Sequence, residues 1–126
     1  GLLLMQGPDM VSLTIGILAQ VSGKPRYVPI TSIGREWYNT EGSMDIILDK
    51  SQKVEFFYHN SQANEMEGAV CEIKDLPARP PKTTRIRIEV QFTSQTDGVI
   101  LLKDLGFGEM FPATGKVTVF PFKLIS

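Results

Sequence analysis

The residues best suited to chemistry in this chain are its one cysteine, Cys71, and its one histidine, His59. A structural zinc site takes about four Cys or His ligands, so these two argue against a site of that kind within the chain. As a pair they could join a sulfur nucleophile to an imidazole base. Against that, Cys71 alternates with Ala69 and Ile73 like a small core residue, and His59 lies opposite the apolar face of its strand. One cysteine also excludes an internal disulfide and fits a reducing compartment.

Two glycine patterns suggest nucleotide chemistry and fail on spacing. Gly106-Phe107-Gly108 begins like a dinucleotide fingerprint, but its third glycine would fall at Phe111, outside any βαβ pattern. Thr114-Gly115-Lys116 resembles the end of a phosphate loop, yet Met110 takes the place of the earlier glycine and Val117 that of the Ser or Thr. Both patterns fit turn glycines that flank a last strand.

The remaining polar and aromatic residues give no catalytic constellation either. We expect the pair Trp37-Tyr38 to pack at an edge of the fold rather than to contact a ligand. Considered as metal ligands, five of the aspartates show no metal-loop spacing; these are Asp9, Asp45, Asp49, Asp97 and Asp104. The sequence therefore predicts no catalytic residue and no metal ligand, and it favours a recognition module over an enzyme.

Bulk composition narrows the partners. The chain is 42% hydrophobic and 21% charged with a net charge of -1, which fits one globular domain and predicts no nucleic-acid or anionic membrane partner. No apolar run approaches the roughly 20 residues that span a bilayer, and Leu2–Met5 is too short for a signal-peptide core. We expect a cytoplasmic fragment of a longer protein, because the chain begins with Gly as a cleaved tag would leave it.

A period of two residues dominates the chain, as half-buried strands require. It is clearest over Arg85–Thr93 and is also present over Val11–Leu18 and Lys53–His59. Weaker alternation is present over 27–30, 44–48, 69–73, 99–103 and 117–124. One-sided burial of this kind is typical of antiparallel sheets. We therefore predict an all-β fold over residues 9–126, an antiparallel β-sandwich of about 7–9 strands with no helical lid.

Turn residues separate these strands. Asp97-Gly98 predicts a tight hairpin, since glycine accepts positive φ. We interpret Ser22-Gly23-Lys24-Pro25 and Glu41-Gly42-Ser43 as loops. Three prolines make 76–82 a stiff, extended connection, and at most one turn of helix is expected within 62–67.

Three stretches, in order, resemble the substrate-binding domain of the seventy-kilodalton heat-shock chaperones of the DnaK type, here a divergent bacterial member. Leu2-Leu3-Leu4-Met5, then Pro8 and Val11-Ser12-Leu13-Thr14-Ile15, is similar to the family's leucine-rich interdomain linker and Leu-Ser-Leu-Gly-Ile strand. Leu76-Pro77-Ala78-Arg79-Pro80-Pro81 is similar to its Ile-Pro-Pro-Ala-Pro turn. Ile88-Glu89-Val90-Gln91-Phe92, followed by Asp97-Gly98-Val99-Ile100, is similar to its Ile-Glu-Val-Thr-Phe and Asp-Gly-Ile-Leu.

The resemblance implies a channel for an extended hydrophobic peptide, held by main-chain hydrogen bonds and one leucine-sized pocket. Carried over by position, the peptide-binding residues would be Ile15, Ile17, Leu18, Met44, Ile47, Val54, Phe56 and Ile88, of which Leu18 and Ile47 would arch over the peptide. Simple core packing is an equal alternative for this set. The resemblance further implies that residues 1–8 are the remnant of a linker to an actin-like ATPase domain. ATP would bind that domain, and no cofactor would bind this chain.

Departures from the family pattern favour an alternative, in which a non-catalytic structural or protein-docking sandwich has lost its channel. Phe56 replaces a smaller β-branched residue and can fill the pocket from inside. The loop Leu18–Arg26 lacks the family's compact glycine pair, and Gln6 stands where the linker is usually acidic. After Asp104 the family continues into a helical lid, whereas this sequence predicts a loop and another strand. A lidless binder is expected to release its peptide quickly.

Overall fold

The computed structural model describes residues 9–49, 52–60 and 65–124, and it confirms the predicted all-β class. The eight strands are β1 (Thr14–Val21), β2 (Lys24–Pro29), β3 (Glu41–Leu48), β4 (Lys53–Asn60), β5 (Glu65–Glu72), β6 (Thr84–Phe92), β7 (Asp97–Gly106) and β8 (Val117–Lys123). They form two antiparallel sheets: sheet 1, in the order β2-β1-β4-β5, and sheet 2, in the order β3-β6-β7-β8. The proposed linker segment Leu2–Met5 lies outside the described residues.

Helical structure in the described ranges is limited to one 3-10 turn, Trp37–Asn39. No described helix is long and apolar enough to cross a membrane. The sequence allowed at most one turn of helix within 62–67, and residues 65–67 belong to β5 instead. Residues 62–64 lie outside the described ranges.

The core lies between the two sheets and follows the alternation in the sequence. In β6, Ile86, Ile88 and Val90 are buried, while the residues between them face outwards or are half-buried. They share one apolar cluster with Val54 and Phe56 of β4. Full burial of such a side chain contributes about 1.5–3 kcal/mol, so the inward faces of the strands supply most of the driving force for this fold.

The loop interpretation of Glu41-Gly42-Ser43 is wrong, because these residues begin β3 and pair with β6. Gly42 is there for space rather than for a turn. A Cβ atom at this position would clash with the backbone carbonyl of Ile30, where the chain crosses from sheet 1 to sheet 2. Glycine in a strand often marks such a close approach of two backbones.

The hairpin predicted at Asp97-Gly98 and the loop predicted at Ser22-Gly23-Lys24-Pro25 are each displaced by one or more residues. Asp97-Gly98 opens β7 rather than forming the turn, which lies just before it and is closed by the Thr93 N–H donating to the Asp97 carbonyl at 2.8 Å. Lys24-Pro25 belongs to β2, and the turn is Ser22-Gly23 alone. Both turn residues have positive φ, 52° and 78°, as two-residue hairpin turns of the primed type require.

Loop 107–116, which leads into β8, is anchored by Asp104. The Asp104 carboxylate is buried and accepts hydrogen bonds from the two terminal nitrogens of Arg79, at 2.7 and 2.9 Å. It also accepts from the backbone N–H of Gly106 and from both the N–H and the hydroxyl of Thr114. Burial by itself would raise the pKa of Asp104, but these donors hold it well below its usual range.

Arg79 lies in the proline-rich connection 76–82, which contains no regular element, as predicted. Its ion pair with Asp104 therefore ties this connection to the end of β7. Two of the glycines in the failed nucleotide motifs, Gly108 and Gly115, lie in the loop before β8, whereas Gly106 ends β7. Gly106, Gly108 and Gly115 have φ values of 62°, 66° and 72°.

Candidate functional site

The structure separates Cys71 from His59. Cys71 pairs with Val54 and His59 with Met66 across the same two strands, five positions apart, which is roughly 16 Å along a strand. The two side chains also lie on opposite faces of sheet 1, since an odd number of residues separates their positions. Cys71 is buried in the core, where burial raises the pKa of its thiol, so this pair cannot act together.

Other candidates for chemistry are also dispersed. Within the described ranges, no three His, Cys, Asp or Glu side chains gather closely enough to hold a metal ion. Trp37 packs against the core, as expected for an edge residue. Tyr38 does not: it is 60% exposed and touches Trp37 edge-on, with ring centroids 5.4 Å apart.

The eight residues carried over from the chaperone resemblance fall into two groups. Ile15, Phe56 and Ile88 are fully buried between the sheets, and Met44 is half-buried. The other four come together at one surface cleft: Ile17, Leu18, Ile47 and Val54. The first group packs in the core, as inward-facing strand residues generally do. The second group defines the candidate site.

This cleft forms where β1 and β4 stop pairing and diverge. They pair only over Thr14–Ile17 and Phe56–His59, although β1 continues to Val21 and β4 begins at Lys53. The gap opens at the end of β3, and we call it the β1–β4 cleft. Its volume is about 620 Å³. It is lined by Ile17, Leu18, Ala19, Gln20, Ile46, Ile47, Leu48, Asp49, Lys53, Val54, Glu55 and Phe57.

The lining combines an apolar floor with a polar rim. By strand alternation the side chains of Ile17, Ile46, Leu48 and Val54 point between the sheets. Leu18 and Ile47 stand on opposite sides of the opening and are 43% and 55% exposed. Polar and charged side chains surround them; these are Gln20, Asp49, Lys53 and Glu55. An apolar surface with a charged rim is typical of a site that a partner covers.

Backbone groups also face this opening from β1. In an antiparallel strand the N–H and C=O of successive residues point to alternate sides. The Ile15 carbonyl accepts from the Ile30 N–H at 2.7 Å, so odd-numbered residues of β1 face β2. Even-numbered residues therefore face β4. Gln20 lies beyond the last β1–β4 pair, so its N–H and C=O face the cleft without an opposing strand among the described residues.

The same reasoning applies to β3, which is an edge strand of sheet 2. The Leu48 carbonyl accepts from the Lys82 N–H at 3.0 Å, on the side of β6. The pairing of β3 with β6 has no register shift, so every even-numbered residue faces β6. The N–H and C=O of Ile47 consequently face the open edge, at the position where Ile47 also lines the cleft.

Two of the four sheet edges are closed to strand addition by proline. In β2, Lys24 faces β1 across the hairpin turn, so Pro25 and Pro29 both face the open edge. In β8, the Leu124 N–H donates to a carbonyl on the β7 side, so Pro121 faces outwards. Proline cannot donate a hydrogen bond, and natural edge strands use it to prevent pairing. Of the two edges without proline, β3 and β5, only that of β3 borders the cleft.

Sequence reasoning missed the floor residues Ile46 and Leu48 and the backbone edge of Ile47. The alternation over 44–48 was visible, but it does not reveal where a ladder ends. One signal was available in the sequence: Pro25 and Pro29 are four residues apart, and therefore on the same edge of a strand. This spacing indicates that proline blocks hydrogen bonding along one strand edge. The edges without proline are then the candidates for strand addition.

A family model described as a domain of unknown function, DUF8552, matches residues 10–124. The matched range contains all eight strands and every residue that lines the cleft. No curated protein matches the chain.

Proposed function

Because the chain belongs to the DUF8552 family, whose function is unknown, we propose a function from its own surface: the β1–β4 cleft binds an extended apolar segment of another polypeptide. One observation carries this proposal, the meeting of an apolar floor with the open backbone edge of β3. Extended peptides bind to sheet edges through main-chain hydrogen bonds, and alternate side chains reach pockets that give specificity.

In the bound state the segment adds to sheet 2 beside β3. Its backbone pairs with the N–H and C=O of Ile47, and one of its apolar side chains lies on the floor formed by Ile46, Leu48 and Val54. A buried apolar side chain contributes about 1.5–3 kcal/mol and each hydrogen bond about 0.5–1.5 kcal/mol. Part of this is offset by the loss of translational freedom. We therefore expect weak binding, with a Kd in the high micromolar range or above.

The biological role that we propose is that of a cytoplasmic chaperone domain, in line with the resemblance to DnaK-type substrate-binding domains. Its clients are unfolded or extended hydrophobic segments. ATP binds to a separate actin-like ATPase domain of the full-length protein, and this chain holds no cofactor and performs no catalysis. Support comes from three ordered sequence motifs and from the position of Leu18 and Ile47, the two expected arch residues, which both line the cleft.

A substitution at the open edge tests the binding mode. Ile47→Pro removes the N–H that faces the partner and leaves the hydrogen bonds between β3 and β6 in place. Val119→Pro is the matched control: Val119 faces the outer edge of β8, which Pro121 already closes, and is 56% exposed, against 55% for Ile47. Ile47→Val, which keeps the N–H and most of the side chain, is the second control.

The assay is a fluorescence-anisotropy titration of the three variants with short labelled apolar peptides. Loss of one or more edge hydrogen bonds is expected to weaken binding by Ile47→Pro about 2- to 10-fold or more. Val119→Pro and Ile47→Val are expected to bind like the unsubstituted chain. If no peptide binds to the unsubstituted chain at high micromolar concentration, the proposed function fails. If both proline variants lose binding equally, the edge mode fails.

One observation favours the second candidate, a docking sandwich without a channel. Phe56 is completely buried, and its ring is stacked on that of Phe120 with centroids 6.4 Å apart and an interplanar angle of 22°. This pair fills the interior where a deep peptide pocket would lie. If the folded chain binds none of the extended peptides in the titration above, this second candidate is the function that remains.

A further inference from the structure

We infer that Phe56 determines which side chains the β1–β4 cleft accepts, and that its ligands insert small or β-branched residues such as valine, threonine or alanine rather than leucine or aromatic residues. This inference rests on the proposed function. It also departs from what the chaperone resemblance implies, which is a pocket for a leucine-sized side chain.

Phe56 lies directly behind the wall of the cleft. Its pairing with Ile17 is the last rung before β1 and β4 separate. On its own strand Val54 is the next residue with the same inward orientation. Ile17 and Val54 both line the cleft, whereas Phe56 does not. A ligand side chain that passed between these two residues would therefore meet the Phe56 ring.

The ring has no room to withdraw. Phe56 has no exposed surface, and its near-parallel contact with Phe120 joins sheet 1 to sheet 2 at this depth. Interiors are packed as densely as organic crystals, so displacement of a buried ring requires its neighbours to move as well. The interior behind the cleft is thus closed to an entering side chain.

Although the cleft as a whole is wide, about 620 Å³, its floor in front of this ring is shallow. Leu48 and Val54 are only 7% and 6% exposed, so they present the outer surface of a packed core rather than the walls of a hole. A short or β-branched side chain makes flat contact with such a floor while its backbone stays close to β3. A longer side chain either holds the backbone away from the Ile47 edge or remains in solvent.

The test uses extended host peptides that are identical except for one central residue: valine, leucine or phenylalanine. Their Kd values are measured by fluorescence anisotropy for the unsubstituted chain and for Phe56→Val and Phe56→Leu. Phe92→Val is the control for a general loss of packing. Phe92 is also a buried core phenylalanine in an aromatic contact, 5.3 Å from Phe122, and it lies eight residues along β6 from Thr84, which pairs with Leu48 at the cleft.

For the unsubstituted chain we expect the valine peptide to bind about tenfold more tightly than the phenylalanine peptide. Phe56→Val is expected to shift this ratio about tenfold towards the larger residue, Phe56→Leu to shift it less, and Phe92→Val to leave it unchanged. A merely structural role for Phe56 would weaken all three peptides equally.

Two results would overturn the inference while leaving the proposed function intact. One is a preference of the unsubstituted chain for leucine or phenylalanine, which needs no variant to fold. The other is an unchanged ratio in a folded Phe56 variant. The absence of binding by any peptide to the unsubstituted chain would instead remove the proposed function itself.

Discussion

Asp104→Asn removes the buried ion pair that anchors loop 107–116 to the proline-rich connection, and so measures its contribution to stability. The substitution keeps the shape of the side chain but removes its charge. The Arg79 guanidinium, whose side chain is 5% exposed, then stays buried without a counter-ion. Asparagine also cannot replace both oxygens as acceptors for the N–H and the hydroxyl of Thr114 and the N–H of Gly106.

The expected loss in the free energy of unfolding is about 3–5 kcal/mol, the usual cost of leaving one partner of a buried pair uncompensated. Domains of this size have about 5–15 kcal/mol in total, so the variant should remain folded but unfold roughly 10–20 °C earlier. The chain contains its own control. Asp45 pairs with Arg87 at 2.9 Å on the surface, with both side chains nearly half exposed, and Asp45→Asn is expected to cost about 0–1 kcal/mol.

Urea titrations followed by the fluorescence of Trp37, the one tryptophan, measure both losses on the same scale. A loss of at least 2 kcal/mol more for Asp104→Asn than for Asp45→Asn is expected from the reasoning about burial. Equal losses in the two variants would show that the Asp104 cluster is no more important than a solvated pair, and would refute the assignment of Asp104 as an anchor.

Two further predictions follow from contacts of the core. The folded-state pKa of Asp104 is lowered by its hydrogen bonds from Arg79, Gly106 and Thr114, so its contribution to stability is complete above the unfolded pKa of about 3.9 and is lost as the pH falls below that value. Urea midpoints measured between about pH 5 and 2 should therefore fall more steeply for the unsubstituted chain than for Asp104→Asn. Parallel curves for the two proteins would disprove this. Gly42→Ala places a Cβ against the Ile30 carbonyl and should destabilise the chain by about 1–3 kcal/mol. Gly23→Ala has open space around its Cβ but a φ of 78°, and it should cost about 1 kcal/mol. Thermal melts that rank the two variants in the reverse order would contradict the explanation that Gly42 allows two backbones to approach closely.

The fold was predictable wherever burial alone decided it. Ile86, Ile88 and Val90 alternate strictly with polar residues, and all three are buried in β6 as expected. Glycine was the main source of error. Gly42 and Gly98 look like turn residues, but each makes room for another group: the Ile30 carbonyl in one case, and the Phe122 ring together with the Gln91 carbonyl in the other. Such approaches depend on residues distant in sequence, which no local pattern reveals.

The candidate site was predictable only in part. Alternation cannot separate Ile15, which is buried, from Ile17, which lines the cleft, because both point inwards along the same strand. What separates them is the point at which β1 leaves β4, which local alternation does not reveal. The resemblance to a chaperone family singles out Leu18 and Ile47 as arch residues, and both line the cleft. The open edge of β3 became visible only with the pairing of the strands.

Amide hydrogen exchange at Ile47 reports on the backbone group that is proposed to bind the partner. In the free chain the Ile47 N–H faces the open edge and should exchange quickly, whereas the N–H groups of Ile46 and Leu48 face β6 and should be protected. Saturation with a short valine-rich peptide is expected to slow exchange at Ile47 and to leave exchange at Val119, on the proline-closed edge of β8, unchanged. Rapid exchange at Ile47 in the presence of a peptide that demonstrably binds would contradict the account.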